Sequence, residues 1–145
     1  MFDGGVGTGE FTKGVVGAQR NFWGDFICTC GSWSGARCNI KITGTSHRLR
    51  YRFPDGTLHW VNYLVTAQQM AGQNAAGEGD SGGPVFFLDA NPSNVRARGL
   101  IASANLAYPA KCTGVDDGRR CASRFALVDL ALHLRSYDLT LLTSR

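Results

Sequence analysis

Gly79-Asp80-Ser81-Gly82-Gly83-Pro84, running into Val85-Phe86-Phe87-Leu88, places one serine between glycines at the mouth of an apolar segment. The glycines can take positive φ and bring the backbone close to a substrate, which a side chain would forbid. The N–H groups of Gly79 and Ser81 can then face one point. Two such donors, fixed where negative charge develops on a tetrahedral intermediate, form an oxyanion hole. In that reading Ser81 is the nucleophile and Asp80 anchors the loop so that the donors stay aimed. Pro84 fixes φ, ends the turn and opens a run expected to be a buried strand. The alternative is a glycine-rich hairpin turn with an ordinary serine, and the 19 glycines of the chain keep it open. Six specified positions ahead of an apolar strand favour the nucleophile.

All six positions of this hexapeptide resemble the nucleophile motif of the trypsin-like serine proteases. Upstream, Cys28-Thr29-Cys30-Gly31-Ser32-Trp33-Ser34-Gly35-Ala36-Arg37-Cys38 resembles the cysteine-closed hairpin of the actinobacterial, streptogrisin-like branch. Downstream, Arg98-Gly99-Leu100-Ile101 resembles the strand lining that family's substrate cleft, and residues 126–143 resemble its terminal helix and last strand. The resemblance runs from about Gly24 onward and covers only the second of the family's two β-barrels. It implies an extracellular serine endopeptidase that hydrolyses peptide bonds through an acyl-enzyme on Ser81, with no cofactor and no metal. Its partners would be a peptide or protein substrate and the missing first barrel.

In the family the general base and its orienting aspartate come from that first barrel. Here the three histidines, His47, His59 and His133, all follow Cys28 and sit in strand or helix contexts where a packing or surface role is expected. Asp3 precedes two glycines and reads as a loop residue. Asp25, in Gly-Asp-Phe, reads as a turn or edge residue. The chain therefore offers a nucleophile without an evident base, and a non-catalytic remnant or pseudoenzyme that binds peptides is the second reading.

Departures from the family pattern bear on specificity. Ala75 occupies the position six before the nucleophile, where many relatives carry a cysteine or an acidic residue of the specificity pocket. Ala102, Ser103 and Ala104 stand at the substrate-binding end of the cleft strand. Ala102 lacks the hydroxyl expected there, and Ala104 replaces a glycine. Thr29 stands where some bacterial relatives place an arginine against the loop aspartate, which leaves the partner of Asp80 open.

Composition is that of one globular domain: 145 residues, 43% hydrophobic and 18% charged, with a formal net charge of +4. Arg48, Arg50 and Arg52 alternate on one strand, and Arg119 and Arg120 sit in a loop, which reads as solvated surface rather than a nucleic-acid interface. Five cysteines point to an oxidising compartment, with Cys28–Cys38 and Cys112–Cys121 as the expected bridges and Cys30 left over. A zinc site is poorly supported by the spacing. No segment is apolar enough to span a membrane as a helix, and the start, Met1-Phe2-Asp3-Gly4-Gly5, lacks the pattern of a signal peptide. The expectation is that Met1 marks a late start within a longer coding sequence.

The fold class expected is all-β: a six-stranded antiparallel Greek-key-type barrel with a C-terminal helix. Candidate strands are 25–30, 38–43, 48–53, 59–66, 84–88 and 95–103. The spacing of Leu127, Leu130, Leu134 and Tyr137 predicts a helix with Ser123 as N-cap, followed by a short strand at 139–142. Residues 1–23 are expected to be a loose, glycine-rich connector, and 24–145 the barrel.

Overall fold

The structure is a computed structural model that describes residues 1–7 and 11–144. Its strands are β1 (Gly14–Ala18), β2 (Phe26–Gly31), β3 (Gly35–Arg52), β4 (Leu58–Gln69), β5 (Ala76–Gly77), β6 (Pro84–Leu88), β7 (Asn94–Ala104), β8 (Pro109–Ala110), β9 (Cys121–Ala122) and β10 (Arg124–Asp129), followed by helix α1 (Leu130–Ser136). The main sheet runs β1-β7-β10-β4-β3-β2-β6, and β6 returns to pair with β7. That last pairing closes six antiparallel strands into a barrel, as expected, and leaves β1 as an extra strand parallel to β7. A separate small sheet, β5-β9-β8, stands beside the loop that carries Ser81.

Alternation along the strands builds the core. Ile40 and Ile42 of β3, Val65 and Ala67 of β4, Ile101 of β7, and Phe125 and Leu127 of β10 all turn inward and are buried. Each large side chain enclosed in this way contributes about 1.5–3 kcal/mol relative to exposure. A second cluster gathers Cys28, Cys30, Phe86 and Val95, with Met1 and Val15 packed against it.

Four features differ from the sequence expectation. Strands 38–43 and 48–53 are one long strand, because Gly44 and the following residues are absorbed as bulges while β4 continues opposite. Gly44 is required there, since the His47 ring occupies the space a Cβ would take. Residues 124–129 are strand rather than helix. Each of Phe125 to Val128 has partners on both β4 and β7, which outweighs the leucine spacing. The helix accordingly starts later, with Asp129 as N-cap accepting from Leu132 N, whereas Ser123 N donates to Tyr108 O. Residues 139–142 form no strand, and Leu142 is 92% exposed. Finally, residues 14–18 are an ordered strand where a loose connector was expected, tied to β7 and held by Ser144 N donating to Val15 O at 3.0 Å.

Candidate active site

Two neighbouring contacts hold the loop between β5 and β6 in place. Gly82 N donates to Ile101 O and Ile101 N donates to Gly83 O, both at 2.9 Å, which fixes the chain just past Ser81 against the middle of β7. Gly79 (φ +89°) and Gly82 (φ +80°) occupy the left-handed region on either side of the serine, as the motif requires. A Cβ at Gly79 would meet the Trp33 ring at 3.0 Å, so the indole lies directly over this turn. Asp80 N donates to Gly77 O at 3.1 Å and Gly83 N to Asp80 O at 2.9 Å. The N–H groups of Gly79 and Ser81 have no acceptor among the described residues.

Asp80 is wholly buried. Its Oδ1 accepts from Trp33 N (3.1 Å) and Ser34 N (2.9 Å), and its Oδ2 accepts from Ser34 Oγ (2.5 Å) and Gly77 N (2.8 Å). The fifth donor is Arg119 Nη1, at 3.3 Å. The arginine expected as solvated surface is thus an enclosed counter-ion, its side chain only 4% exposed. Disulfide Cys112–Cys121 pinches its loop, and the same guanidinium donates to Ser34 Oγ (2.6 Å), Glu78 O (2.7 Å), Val115 O (2.6 Å) and Thr113 O (3.1 Å). Arg119 therefore supplies the partner of Asp80 that Thr29 cannot. Thr29 instead donates to Ala75 O at 2.8 Å. Next door, Arg120 holds Glu78 at 2.5 Å, and its hydrogen bond keeps the Glu78 carboxyl below the ordinary carboxylate range. Gly31 is needed because a Cβ there would collide with the Asp80 carboxylate.

Ser81 itself is exposed and lines a cavity of about 580 Å³ together with Phe2, Val6, Cys30, Ser32 and Pro84. No histidine lines it. His59 Nε2 pairs with Thr57 Oγ1 at 2.8 Å, His133 Nδ1 with Asp129 O at 2.9 Å, and His47 is packed over Gly44. Each has a local structural employment, and Ser81 Oγ has no hydrogen-bond partner among the described residues. Asp25 is more than an edge residue: it pairs with Arg98, which is 2% exposed on β7 and also donates to Asn21 Oδ1 at 3.2 Å. Asn21 in turn donates to Asp129, so the residues before β2 are bound to β7 and to the start of α1.

The residues assigned to substrate binding separate. Ser103 and Ala104 line a second groove, of about 530 Å³, on which Ser81 does not border. Ala102 is half-buried beside them, and Ala75 lies fully buried in the core. Both expected disulfides are formed and Cys30 is a buried free thiol whose pKa burial pushes up. Among the described residues no group of histidine, cysteine and acidic side chains could hold a metal ion. Arg119 is the site residue that sequence reasoning missed. Its sole signal was an arginine inside the second cysteine loop.

No protein-family model matches the chain, and no curated protein sequence matches it either. Solved structures do. Thermobifida fusca protease A aligns over 97% of this chain with a TM-score of 0.58 and 22% identity. Cellulomonas bogoriensis chymotrypsin aligns over 95% with a TM-score of 0.59 and 21% identity, and Nocardiopsis protease over 93% with 0.58 and 19%. These likenesses establish the fold, that of the trypsin-like proteases. The chain spans 60%, 59% and 56% of those three structures.

Proposed function

We propose that this chain is the nucleophile-bearing barrel of an extracellular serine endopeptidase. Ser81 attacks the peptide carbonyl, and the N–H groups of Gly79 and Ser81 receive the developing oxyanion. A histidine and an aspartate from a first barrel, packed on residues 24–145, would move the proton, with residues 1–23 leading in from it. The observation that carries this reading is the pair of unpartnered N–H groups flanking an exposed serine, on a loop held by five donors to Asp80. Two disulfides support an extracellular setting. Exposed Phe22, at 59%, and Trp23, at 71%, lie in the segment entering β2 and are apolar surface that a further barrel would cover.

Magnitude sets what the chain does alone. Loss of the base from such a triad costs on the order of 10⁶ in turnover, while the oxyanion hole and binding retain roughly 10³–10⁴ over water. The expected behaviour is slow labelling by a fluorophosphonate and formation of a tetrahedral adduct with a peptidyl boronate, both lost in Ser81→Ala. Absence of both in the native chain sinks the nucleophile assignment and leaves a peptide-binding remnant as the reading. Rapid labelling would show instead that one of the three histidines reaches Ser81.

A further inference from the structure

The groove at the end of β7 encloses a cation that has no acidic partner among the described residues. Arg124 enters from the start of β10, half-buried, with its guanidinium carbon 3.7 Å from the centre of the Tyr108 ring. Its Nε is closed off from solvent and makes no hydrogen bond. No acidic side chain lines the groove, and among the described residues none forms an ion pair with Arg124. Arg98 is matched by Asp25 and Arg119 by Asp80, and Arg37, whose Nε is closed off in the same way, donates through Nη2 to Gln73 Oε1. The donors that a ligand entering the groove can reach are the two Nη groups, which are not closed off and have no hydrogen-bond partner among the described residues.

The facing wall adds a neutral donor. Tyr51 Oη and Ser103 Oγ lie 2.7 Å apart and share one hydrogen bond, so whichever hydroxyl accepts keeps its own proton to offer to the groove. A planar guanidinium meets a carboxylate through two parallel N–H groups, a geometry that a neutral amide cannot satisfy as well. At about 530 Å³, with Leu49, Leu106 and Phe125 among its walls, the groove has room for the chain that carries the carboxylate.

We infer that the Arg124 groove is a binding site for the carboxylate of an acidic peptide side chain, held by Arg124 with the Tyr51–Ser103 hydroxyl pair. Naming a peptide as carrier rests on the reading of Ser81 given above; the preference for an anion rests on Arg124.

The test uses the full chain carrying Ser81→Ala, so that no chemistry intervenes. It is titrated, with amide NMR shifts as the readout, with the pentapeptide acetyl-Ala-Ala-Glu-Ala-Ala-amide, its Gln counterpart, and inorganic phosphate. Charge-assisted hydrogen bonds predict that the Glu peptide binds about 10- to 100-fold tighter than the Gln peptide. Arg124→Met brings the two to the same affinity, and Tyr51→Phe narrows the gap. Should Arg124→Met not fold, Ser103→Trp fills the groove while leaving the arginine in place and must equally abolish the preference. Equal affinity for the Glu and Gln peptides overturns the inference, as does a preference that survives Ser103→Trp. Phosphate binding without discrimination between the peptides overturns the peptide carboxylate as ligand. Because the nucleophile is absent from the titrated chain, a negative result leaves the labelling of Ser81 untouched, and the two readings fail separately.

Discussion

Replacing Asp80 by asparagine changes one oxygen for an NH₂ group and nothing in volume, so its effect isolates the donors around that carboxylate. Oδ1 accepts from two backbone N–H groups, those of Trp33 and Ser34. Oδ2 faces Gly77 N and Arg119 Nη1, besides a Ser34 hydroxyl that already accepts from Asn74 and Arg119. Whichever way the amide is turned, its NH₂ opposes two N–H donors, and Arg119 loses its counter-charge in an enclosed site. Each orphaned donor costs about 1–3 kcal/mol, and breaking a buried ion pair from one side about 3–5 kcal/mol. These overlap, so the expected loss is about 3–5 kcal/mol, a large part of a typical domain's stability. For a chain of this length that corresponds to a Tm lower by about 10–15 °C. Urea and thermal unfolding followed by circular dichroism measure it, and fluorophosphonate labelling of Ser81 follows the loop. A variant that loses less than about 1 kcal/mol and keeps native labelling refutes the account of Asp80 as the anchor of the Ser81 loop.

The same geometry sets three further outcomes. Ser81→Ala removes an exposed hydroxyl without partners, so its urea midpoint should shift by no more than about 0.5 kcal/mol while boronate adduct formation disappears. Asp25→Ala leaves the Arg98 charge enclosed with Asn21 as its remaining partner; since Asp25 is about one-third exposed, the loss is discounted to about 1–3 kcal/mol in chemical denaturation. The Cys30 thiol is pushed above its ordinary value of 9.0 by burial, so the unfolded chain releases that proton first as pH rises. Stability should therefore fall more steeply above pH 9.0 than that of Cys30→Ala, with a pH-independent offset between the two below it, and iodoacetamide at pH 8 should modify Cys30 only on unfolding.

How much of this was legible in the sequence divides by distance along the chain. The left-handed turns at Gly79 and Gly82, the free N–H groups beside Ser81, the apolar strand after Pro84 and the Cys28–Cys38 hairpin are consequences of adjacent residues. Helix periodicity misled at 124–129, because a leucine spacing compatible with 3.6 residues per turn was outweighed by two flanking strands that both pair with each of Phe125 to Val128. The two-strand reading of 38–53 failed for a related reason, since a glycine that punctuates a sequence can be absorbed as a bulge when the partner strand runs on.

By itself the sequence determined the local chemistry: a serine on a glycine turn, cysteines spaced to close short loops, and enough alternating apolar residues for a closed barrel. Only the tertiary structure decided which charges meet. Arg119 lies 39 residues beyond Asp80 and reaches it because a disulfide loop folds back over Ser34. Arg98 finds Asp25 from 73 residues away, and Arg124 finds no acid among the described residues. Charge pairing in an enclosed site depends on distances of a few ångströms across a low-dielectric interior, and neither composition nor periodicity carries that information.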